Sequence, residues 1–366
     1  MVAVVGELHR DLTYETTVFT DLANEVARRL VESRGEQSEE KLRELVLGTL
    51  RDSPKKLPAG ALVTRGGNGN NSATLLAKLG VPVKLATVVG SDAAAWMRSE
   101  LKAERIDDSL VVEKPRPTPT STILRDPNVT KILVAPNLKA EMNFEGVQLD
   151  LRSFDDVAVA FFTPMGEKYA KLYRDLSSVD GGPVVAFTLE TQQVPDLGGL
   201  GACLSSPADI MFANVDDAAS VAGVEVPRNG PLDALARLDD NFANFAGVRV
   251  YTWGRRGSVA FVRDAASPVV TPVVEVRVKD RTGAGDSFAA GFLAHFAGAL
   301  GGRDRAAFRL LEGYQLRRIV VKACELGSLA AAYRVATARA PTADDLRRFA
   351  EERGLGLQTP SRSLSP

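Results

Sequence analysis

Cysteine and histidine are scarce in this sequence, which contains two of each among 366 residues. Cys203 and Cys324 lie far apart, a pattern that excludes a disulfide scaffold or a zinc site and predicts a reduced, cytoplasmic protein. His9 and His295 are too few to form a His-rich metal centre. Neither residue type therefore predicts a cross-link on which the fold would depend.

The sequence also lacks long hydrophobic runs and an excess of charge. No apolar run reaches about 18 residues, so no transmembrane helix is predicted. The N-terminal segment is apolar without a preceding basic region, so we expect no signal peptide. The formal net charge of -1 gives no general attraction to nucleic acid or to an anionic membrane. We therefore expect a globular protein that binds neither.

Short apolar runs alternate with segments of helical spacing along most of the chain. The runs that predict strands are residues 2–5, 81–89, 157–162, 183–187, 210–212, 248–252 and 258–263. The segments that predict helices between and after them are 168–176, 216–221, 232–245, 302–338 and 342–354. This alternation predicts an α/β fold with a mostly parallel sheet and helices on both faces.

Two segments interrupt the alternation. Residues 20–52 carry two apolar stripes, with Leu22 and Leu30 on one and Val46 and Leu50 on the other, which predicts a helical hairpin. We expect this hairpin to be a structural or oligomer element, and a homodimer is left open. Residues 111–136 alternate as strands do and predict a β hairpin that contributes to a small β flap.

The most informative stretch is Gly283-Ala284-Gly285-Asp286. It follows the β-branched run 269–278, which predicts a strand, and precedes a segment of helical pattern. Small residues at a helix N-terminus leave backbone amides available for a phosphate, and the helix dipole favours an anion there. A carboxylate beside that phosphate repels it but can take a proton from an attacking hydroxyl. The alternative is a tight glycine turn followed by an acid that merely complements the helix dipole.

Two earlier stretches carry polar residues at positions suited to a ligand. Asp11 closely follows the first predicted strand, at the edge where parallel sheets bind ligands, although a loop acid in a turn is equally compatible. Gly66 and Gly67 precede a predicted helix that includes Asn71, whose amide could bind sugar hydroxyls. This second stretch is neither a Walker A loop nor a complete dinucleotide fingerprint, which disfavours a nicotinamide dehydrogenase.

Five segments together resemble the ribokinase, or PfkB, family of carbohydrate kinases over nearly the whole chain. They are, in family order, Gly66-Gly67 with Asn71, Val88-Val89-Gly90-Ser91-Asp92, Asn214-Val215-Asp216-Asp217, Thr252-Trp253-Gly254-Arg255-Arg256-Gly257, and Asp280 with Thr282-Gly283-Ala284-Gly285-Asp286. The resemblance implies a ribokinase-like, doubly wound sheet plus a small β lid. It places one kinase domain over 1–356, with lid elements within about 11–20, 58–66 and 111–136 and the hairpin at 20–52 inserted. The tail at 357–366 is rich in serine and proline, and we expect it to be disordered.

The resemblance also implies phosphoryl transfer from ATP to a hydroxyl, and it assigns a role to each matching position. Asp286 would be the catalytic base, and the anion hole would comprise Gly283, Ala284 and Gly285. Contacts to the sugar would come from Asp11, Gly66, Gly67 and Asn71. Contacts to the nucleotide would come from Asn214, Thr252, Gly254, Gly257 and Thr282. Asn214 and Asp217 would hold Mg²⁺ through water.

Several alternatives remain open at this point. The acceptor is a free sugar, a sugar phosphate, a polyol or a nucleoside, and a non-catalytic sensor that binds a sugar or nucleotide is a further possibility. Arg65 precedes the glycines, where it could meet an anionic substrate or form a surface ion pair. Cys324 falls near the position where the family contacts adenine.

Overall fold

The computed structural model describes residues 1–32, 38–53, 59–126, 130–147, 149–227, 230–302 and 304–355. The chain divides into a large unit, made of residues 1–8, 67–117 and 140 onward, and a small unit, made of residues 9–66 and 118–139. The tail at 357–366 lies outside the described residues, so its expected disorder stays a prediction. Among the described helices, none is long and apolar enough to cross a membrane.

The strands, in chain order, are β1 (Val2–Gly6), β2 (His9–Glu15), β3 (Gly60–Gly66), β4 (Val83–Gly90), β5 (Val111–Lys114), β6 (Thr120–Arg125), β7 (Thr130–Leu133), β8 (Val159–Thr163), β9 (Val184–Leu189), β10 (Ala208–Asn214), β11 (Ala246–Thr252), β12 (Ser258–Val262) and β13 (Val269–Thr271). The helices are α1 (Val18–Glu32), α2 (Glu39–Asp52), α3 (Asn68–Lys78), α4 (Ala94–Ala103), α5 (Pro136–Glu141), α6 (Glu167–Ser177), α7 (Leu197–Cys203), α8 (Val215–Ala222), α9 (Leu232–Asp239), α10 (Ala284–Leu300), α11 (Arg305–Arg309), α12 (Gly313–Thr337) and α13 (Ala343–Glu351).

A nine-stranded sheet in the order β13-β12-β11-β10-β9-β8-β1-β4-β5 organises the large unit. All neighbours from β11 to β5 are parallel, and β12 and β13 pair antiparallel at one edge. The chain leaves β1 toward β4 on one side and returns to β8 on the other. That reversal of strand order is the place where doubly wound sheets bind ligands, beyond the carboxyl ends of the strands.

Helices cover both faces of this sheet, as predicted. Successive residues of β1 enter opposite cores, since Val2 and Val4 belong to one apolar cluster and Ala3 and Val5 to the other. The first cluster includes side chains of α3, α10 and α12, and the second includes side chains of α6, α8 and α9. A strand buried on both faces is apolar throughout, which explains the uninterrupted Val-Ala-Val-Val sequence.

Helices α10 and α12 approach each other closely because glycines face the contact. A Cβ atom on Gly291 would lie 2.9 Å from the carbonyl oxygen of Leu326, and a Cβ atom on Gly327 would lie 2.7 Å from the carbonyl oxygen of Phe288. Gly283, the residue before α10, lies close to Arg334 in the last turn of α12, so the helices run in opposite directions. The N-terminus of α10 consequently lies beside the C-terminus of α12.

The small unit contains a four-stranded sheet in the order β3-β2-β6-β7 and the helices α1 and α2. Asp126 at the end of β6 anchors α1, because its carboxylate accepts a hydrogen bond of 3.0 Å from the amide of Thr20. Leu22, Val26, Val46 and Leu50 line an apolar cleft between the two helices. The two helices lie where the spacing of residues 20–52 predicted them, and their role in oligomer formation stays a prediction.

Several sequence-based boundaries were wrong. The predicted strand at 269–278 ends at Thr271, because Pro272 has no amide to donate to the sheet. Asp11 lies within β2 and not in a loop. The segment Val111–Lys114, which we placed in the flap, is β5 and pairs with β4 of the large sheet.

Two predicted helices also differ from the observed ones. The helix predicted at 302–338 is divided into α11 and α12. The helix predicted at 232–245 ends at Asp239. The apolar spacing continues beyond each helix because loop residues also pack against a core. These residues are Leu311, between α11 and α12, and Phe242 and Phe245, after α9.

We predict that Gly327→Ala lowers the melting temperature. The added methyl group would collide with backbone, which has no flexible end to move aside, and such overpacking costs about 1–3 kcal/mol. The matched control is Gly298→Ala in α10, where nothing lies within 4 Å of the added Cβ. Because alanine is the better helix former, that variant should keep or raise the melting temperature. Equal melting temperatures for the two variants would contradict the close contact.

Candidate active site

The turn that precedes α10 presents backbone amides at the carboxyl edge of the sheet. Gly283 adopts φ of 74°, a conformation that favours glycine, and it is the residue before the first helical position. The amide of Thr282 donates to the carboxylate of Asp280 at 2.8 Å. The amide of Ala284 closes the turn on the carbonyl of Arg281 at 3.2 Å. The next amides, those of Gly285 and Asp286, have no acceptor within the helix, as in the first turn of any helix.

Asp286 lies in the first turn of α10 and is half-buried. Its Oδ2 accepts a hydrogen bond of 2.9 Å from Nδ2 of Asn71. Burial raises the pKa of Asp286 to about 6, while the hydrogen bond from Asn71 and the positive charge of Arg334 oppose that rise. A carboxyl group with this pKa exchanges its proton near neutral pH, which suits a general base.

Asn71 reaches Asp286 because α3 begins against the end of β1. A Cβ atom on Gly6 would lie 2.7 Å from Cα of Gly69, so only glycine permits this approach. The amide of Asn70 donates to the carbonyl of Glu7 at 3.0 Å and fixes the start of α3. Gly67, whose φ is 98°, is the residue that caps this helix. The glycine-rich sequence therefore serves to bring α3 to the sheet edge.

Asn214 and Asp217 are held together at the end of β10. Oδ1 of Asn214 accepts from the amide of Asp217 at 2.7 Å and caps α8, while its Nδ2 donates back to the Asp217 carboxylate. The hydroxyl of Thr191 donates to the same carboxylate at 2.6 Å. Asn214 is also the register partner of Thr252 in β11, so the sheet brings these two predicted residues side by side.

The turn between β11 and β12 contains the remaining predicted nucleotide positions. Gly254 and Gly257 have φ of 53° and 84°, and a Cβ atom on Gly257 would lie 2.0 Å from the carbonyl oxygen of Thr271. The guanidinium of Arg256 stacks 3.7 Å from the ring centre of Trp253. Cys324 is fully buried, which raises the pKa of its thiol to about 12.

Two of the predicted sugar-binding residues lie together in the small unit. Asp11 in β2 packs its carboxylate directly on Gly66 in β3, where a Cβ atom would lie 2.1 Å from Oδ2. Nε2 of His9 lies 3.1 Å from Oδ1 of Asp11 and 3.1 Å from the hydroxyl of Ser121. The Asp11 carboxylate fits here because Gly66 has no side chain, and any larger residue at position 66 would displace it. Arg65 occupies the preceding position in β3 and stays a candidate contact to an anionic substrate.

Sequence reasoning missed Glu190, which follows β9 at the same edge. Its Oε1 accepts a hydrogen bond of 2.5 Å from Nδ2 of Asn68. Burial raises the pKa of Glu190 to about 7, and the negative charges of Asp286, Asp217 and Glu7 add to the rise. The available signal was a polar residue at the carboxyl end of a buried apolar strand. Glu7 stands in such a position after β1, and Asn214 does so at the end of β10.

The oxygen atoms of Asn214 and Asp217 fit Mg²⁺ only through water. Within the described ranges, no group of three or more His, Cys, Asp or Glu side chains is arranged to hold a metal. Asp217 offers a carboxylate, but Thr191 and Asn214 already donate to it. Mg²⁺ typically keeps several waters and binds phosphates and one or two carboxylates, so a hydrated ion near Asn214 and Asp217 is compatible with these residues.

A doubly wound sheet with a glycine turn before a helix and an adjacent carboxylate at its carboxyl edge suits phosphoryl transfer. The family model of the pfkB family carbohydrate kinases matches residues 39–343. The chain therefore belongs to the pfkB family of carbohydrate kinases, and it is a phosphotransferase that acts on a carbohydrate.

Individual kinases are similar to this chain in sequence or in fold. The fructosamine kinase FrlD of Bacillus subtilis (strain 168) is 27% identical over 237 residues, which are 63% of this chain and 76% of that protein. The nucleoside kinase of Methanocaldococcus jannaschii superposes with a TM-score of 0.62 at 19% identity, covering 96% of this chain and 98% of the other. Arabidopsis thaliana ribokinase, in complex with ribose and ATP, gives 0.62 at 16% identity, covering 95% and 97%. The structural neighbours confirm the ribokinase-like fold.

We predict that the phosphotransferase rate rises with pH through a midpoint near 6. Asp286 loses its proton first, because its pKa is lower than that of Glu190, and a base is active only when deprotonated. This rise is the acid limb of the pH profile of kcat/KM, and measuring that profile checks the prediction. The control is Glu190→Gln, which keeps the size of the side chain and should keep the limb. Loss of the limb in that variant would assign the titration to Glu190.

Proposed function

We propose that the protein transfers the γ-phosphoryl group of ATP to a hydroxyl of a sugar or sugar-like small molecule. The observation that carries the proposal is Asp286, which lies in the first helical turn after the glycine turn and is oriented by Asn71. Arabidopsis thaliana ribokinase, a structural neighbour, has been seen with ribose and ATP together, which supports ATP as the donor.

In the proposed reaction, Asp286 takes the proton of the acceptor hydroxyl as its oxygen attacks the γ-phosphorus. The bond between that phosphorus and the bridging oxygen breaks, and ADP leaves with the electron pair. Backbone amides of Gly283, Ala284 and Gly285 stabilise the charge on the transferred group, and the turn of Ala284 on Arg281 leaves Gly285 as the better donor. Positioning and charge stabilisation suffice for this chemistry.

The remaining sequence-predicted residues divide between the two substrates. We propose that the acceptor is bound by Asp11, Gly66, Gly67 and Asn71. We propose that the nucleotide is bound by Asn214, Thr252, Gly254, Gly257 and Thr282. Asn214 and Asp217 would hold Mg²⁺ through water, and the ion would supply charge neutralisation for the phosphates. Cys324 is completely buried, so we assign it no contact to a ligand.

A nucleoside acceptor is the second candidate, because the Methanocaldococcus jannaschii neighbour is a nucleoside kinase. An amine-bearing sugar is a third acceptor class, supported by the fructosamine kinase relative. ADP release measured over sugars, sugar phosphates, polyols, amino sugars and nucleosides with Mg-ATP separates these classes. A sensor without catalysis would bind an acceptor in the same panel and release no ADP.

We predict that Asp286→Asn lowers kcat by about 10²–10⁴ fold, the usual contribution of a general base. The KM for ATP should change little, because backbone amides form the anion site and survive the substitution. The matched control is Asp233→Asn, which removes an exposed acid from the first turn of α9. That control should keep full activity. Near wild-type kcat in folded Asp286→Asn would reduce Asp286 to an acid that complements the helix dipole.

We predict that Asn214→Ser raises the Mg²⁺ concentration required for half-maximal rate. Serine retains an oxygen that caps α8 but removes the amide that holds the Asp217 carboxylate. The helix should therefore remain stable, which a melting curve checks. A companion variant, Asp217→Asn, should show the same change in Mg²⁺ dependence. Unchanged Mg²⁺ dependence in both variants would remove the metal assignment.

A further inference from the structure

Arg334, which no sequence motif singled out, lies at the glycine turn. Its Nε and Nη2 atoms are 3.4 Å and 3.8 Å from the position that a Cβ atom on Gly283 would take. Nδ2 of Asn71 lies 4.0 Å from that same position. The guanidinium therefore approaches the anion-binding turn from the side of α12, while Asn71 approaches it from α3.

The placement of Arg334 follows from how α12 ends. Gly291 and Gly327 let α10 and α12 pack at backbone distance, which sets the last turn of α12 against the first turn of α10. The carbonyl of Val335 then accepts hydrogen bonds from the amides of Lys279 and Asp280, at 2.9 Å and 3.2 Å. The segment that leads into the glycine turn is thus fastened to the residue next to Arg334.

A basic residue in the last turn of a helix has an ordinary role, since it complements the helix dipole. That role requires only proximity to the last carbonyls of its own helix. Arg334 instead extends toward the first turn of another helix, and its charge acts on the carboxyl group of Asp286. The half-buried position of Arg334 weakens solvent screening of this interaction.

We infer that Arg334 is the fixed cation of the phosphoryl-transfer site. It stabilises the negative charge that develops on the transferred phosphoryl group at the turn, and it holds Asp286 in the ionised form. This inference rests on the proposed function. A guanidinium suits both tasks, because it stays charged at any working pH and presents several donors to phosphate oxygens.

The groups that face Asp286 determine how its protonation responds to loss of Arg334. Asn71 from α3 is uncharged, Arg334 from α12 is positive, and Glu190 after β9 is negative when ionised. Asp217 and Glu7 act on Glu190. Removing the positive charge leaves burial, which disfavours the ionised carboxylate and is then opposed only by the hydrogen bond from Asn71. The acid limb of the rate must then move to higher pH.

The test compares Arg334→Gln, Arg334→Lys and the control Arg318→Gln, which removes an exposed arginine from the same helix. For Arg334→Gln we expect kcat to fall by about 10²–10³ fold, as for loss of one oxyanion donor. We also expect the acid limb to move upward in pH and the KM for the acceptor to change little. Arg334→Lys keeps the charge, so it should restore the position of the limb even if kcat stays low. Arg318→Gln should match the wild type.

Two outcomes would overturn the inference. One is a kcat within threefold of wild type in Arg334→Gln. The other is an unmoved acid limb in Arg334→Gln, which would leave any loss of rate to a structural cause. If Arg334→Gln fails to fold, the limb of Arg334→Lys against that of wild type still decides, because a shifted limb with the charge retained contradicts the assignment. Asp286→Asn distinguishes the two failures. Near wild-type kcat in that variant removes the base of the proposed function, and this inference with it. A low kcat in Asp286→Asn together with wild-type kcat in Arg334→Gln overturns this inference alone.

Discussion

The hydrogen bond from Asn71 to Asp286 joins the two helices that form the site, and the surrounding structure serves to make it possible. Asn71 stands on α3, which is fixed at the end of β1 by the contact of Gly6 with Gly69. Asp286 stands on α10, which begins after the turn at Gly283. The two residues are 215 positions apart in sequence. The position of β1 at the reversal of strand order and the packing of α10 across the first core bring them into contact.

Electrostatics at the sheet edge are governed by an accumulation of carboxyl groups. Glu7 and Glu190 follow β1 and β9, and Asp217 and Asp286 lie in the first turns of α8 and α10. Burial raises the pKa of both Glu190 and Asp286, and the negative charges of Asp286, Asp217 and Glu7 add to the rise at Glu190. Lys168 balances Glu7 through a nearly buried ion pair. A site with this excess of acid needs further positive charge before it can hold phosphates, which is why a basic side chain and a hydrated cation are both expected here.

The strands, helices and turns of the fold were predicted well because each depends on a pattern among residues that are close in sequence. The apolar run of β1 and the small residues around Gly283 are patterns of this kind, and the family motifs placed Asp286, Asn71 and Asn214 at one edge. Glu190 and Arg334 were missed because their roles arise from tertiary contacts, with residues 122 positions away for Glu190 and with a different helix for Arg334. The strand that begins at Val269 was predicted too long. The β-branched residues from Val273 to Val278 favour a strand, but Pro272 ends the pairing at Thr271.

The small unit is interleaved with the large one along the chain, which constrains the order in which a nascent polypeptide can fold. Strands β2 and β3 leave the ribosome early, but β2 pairs with β6, about a hundred residues later. The chain completes β4 and β5 of the large sheet in that interval. Strand β1 likewise has one unpaired edge until β8 is synthesised. Until then, the exposed strand edges are open to pairing with other chains, so this topology favours slow folding and a need for protection during synthesis.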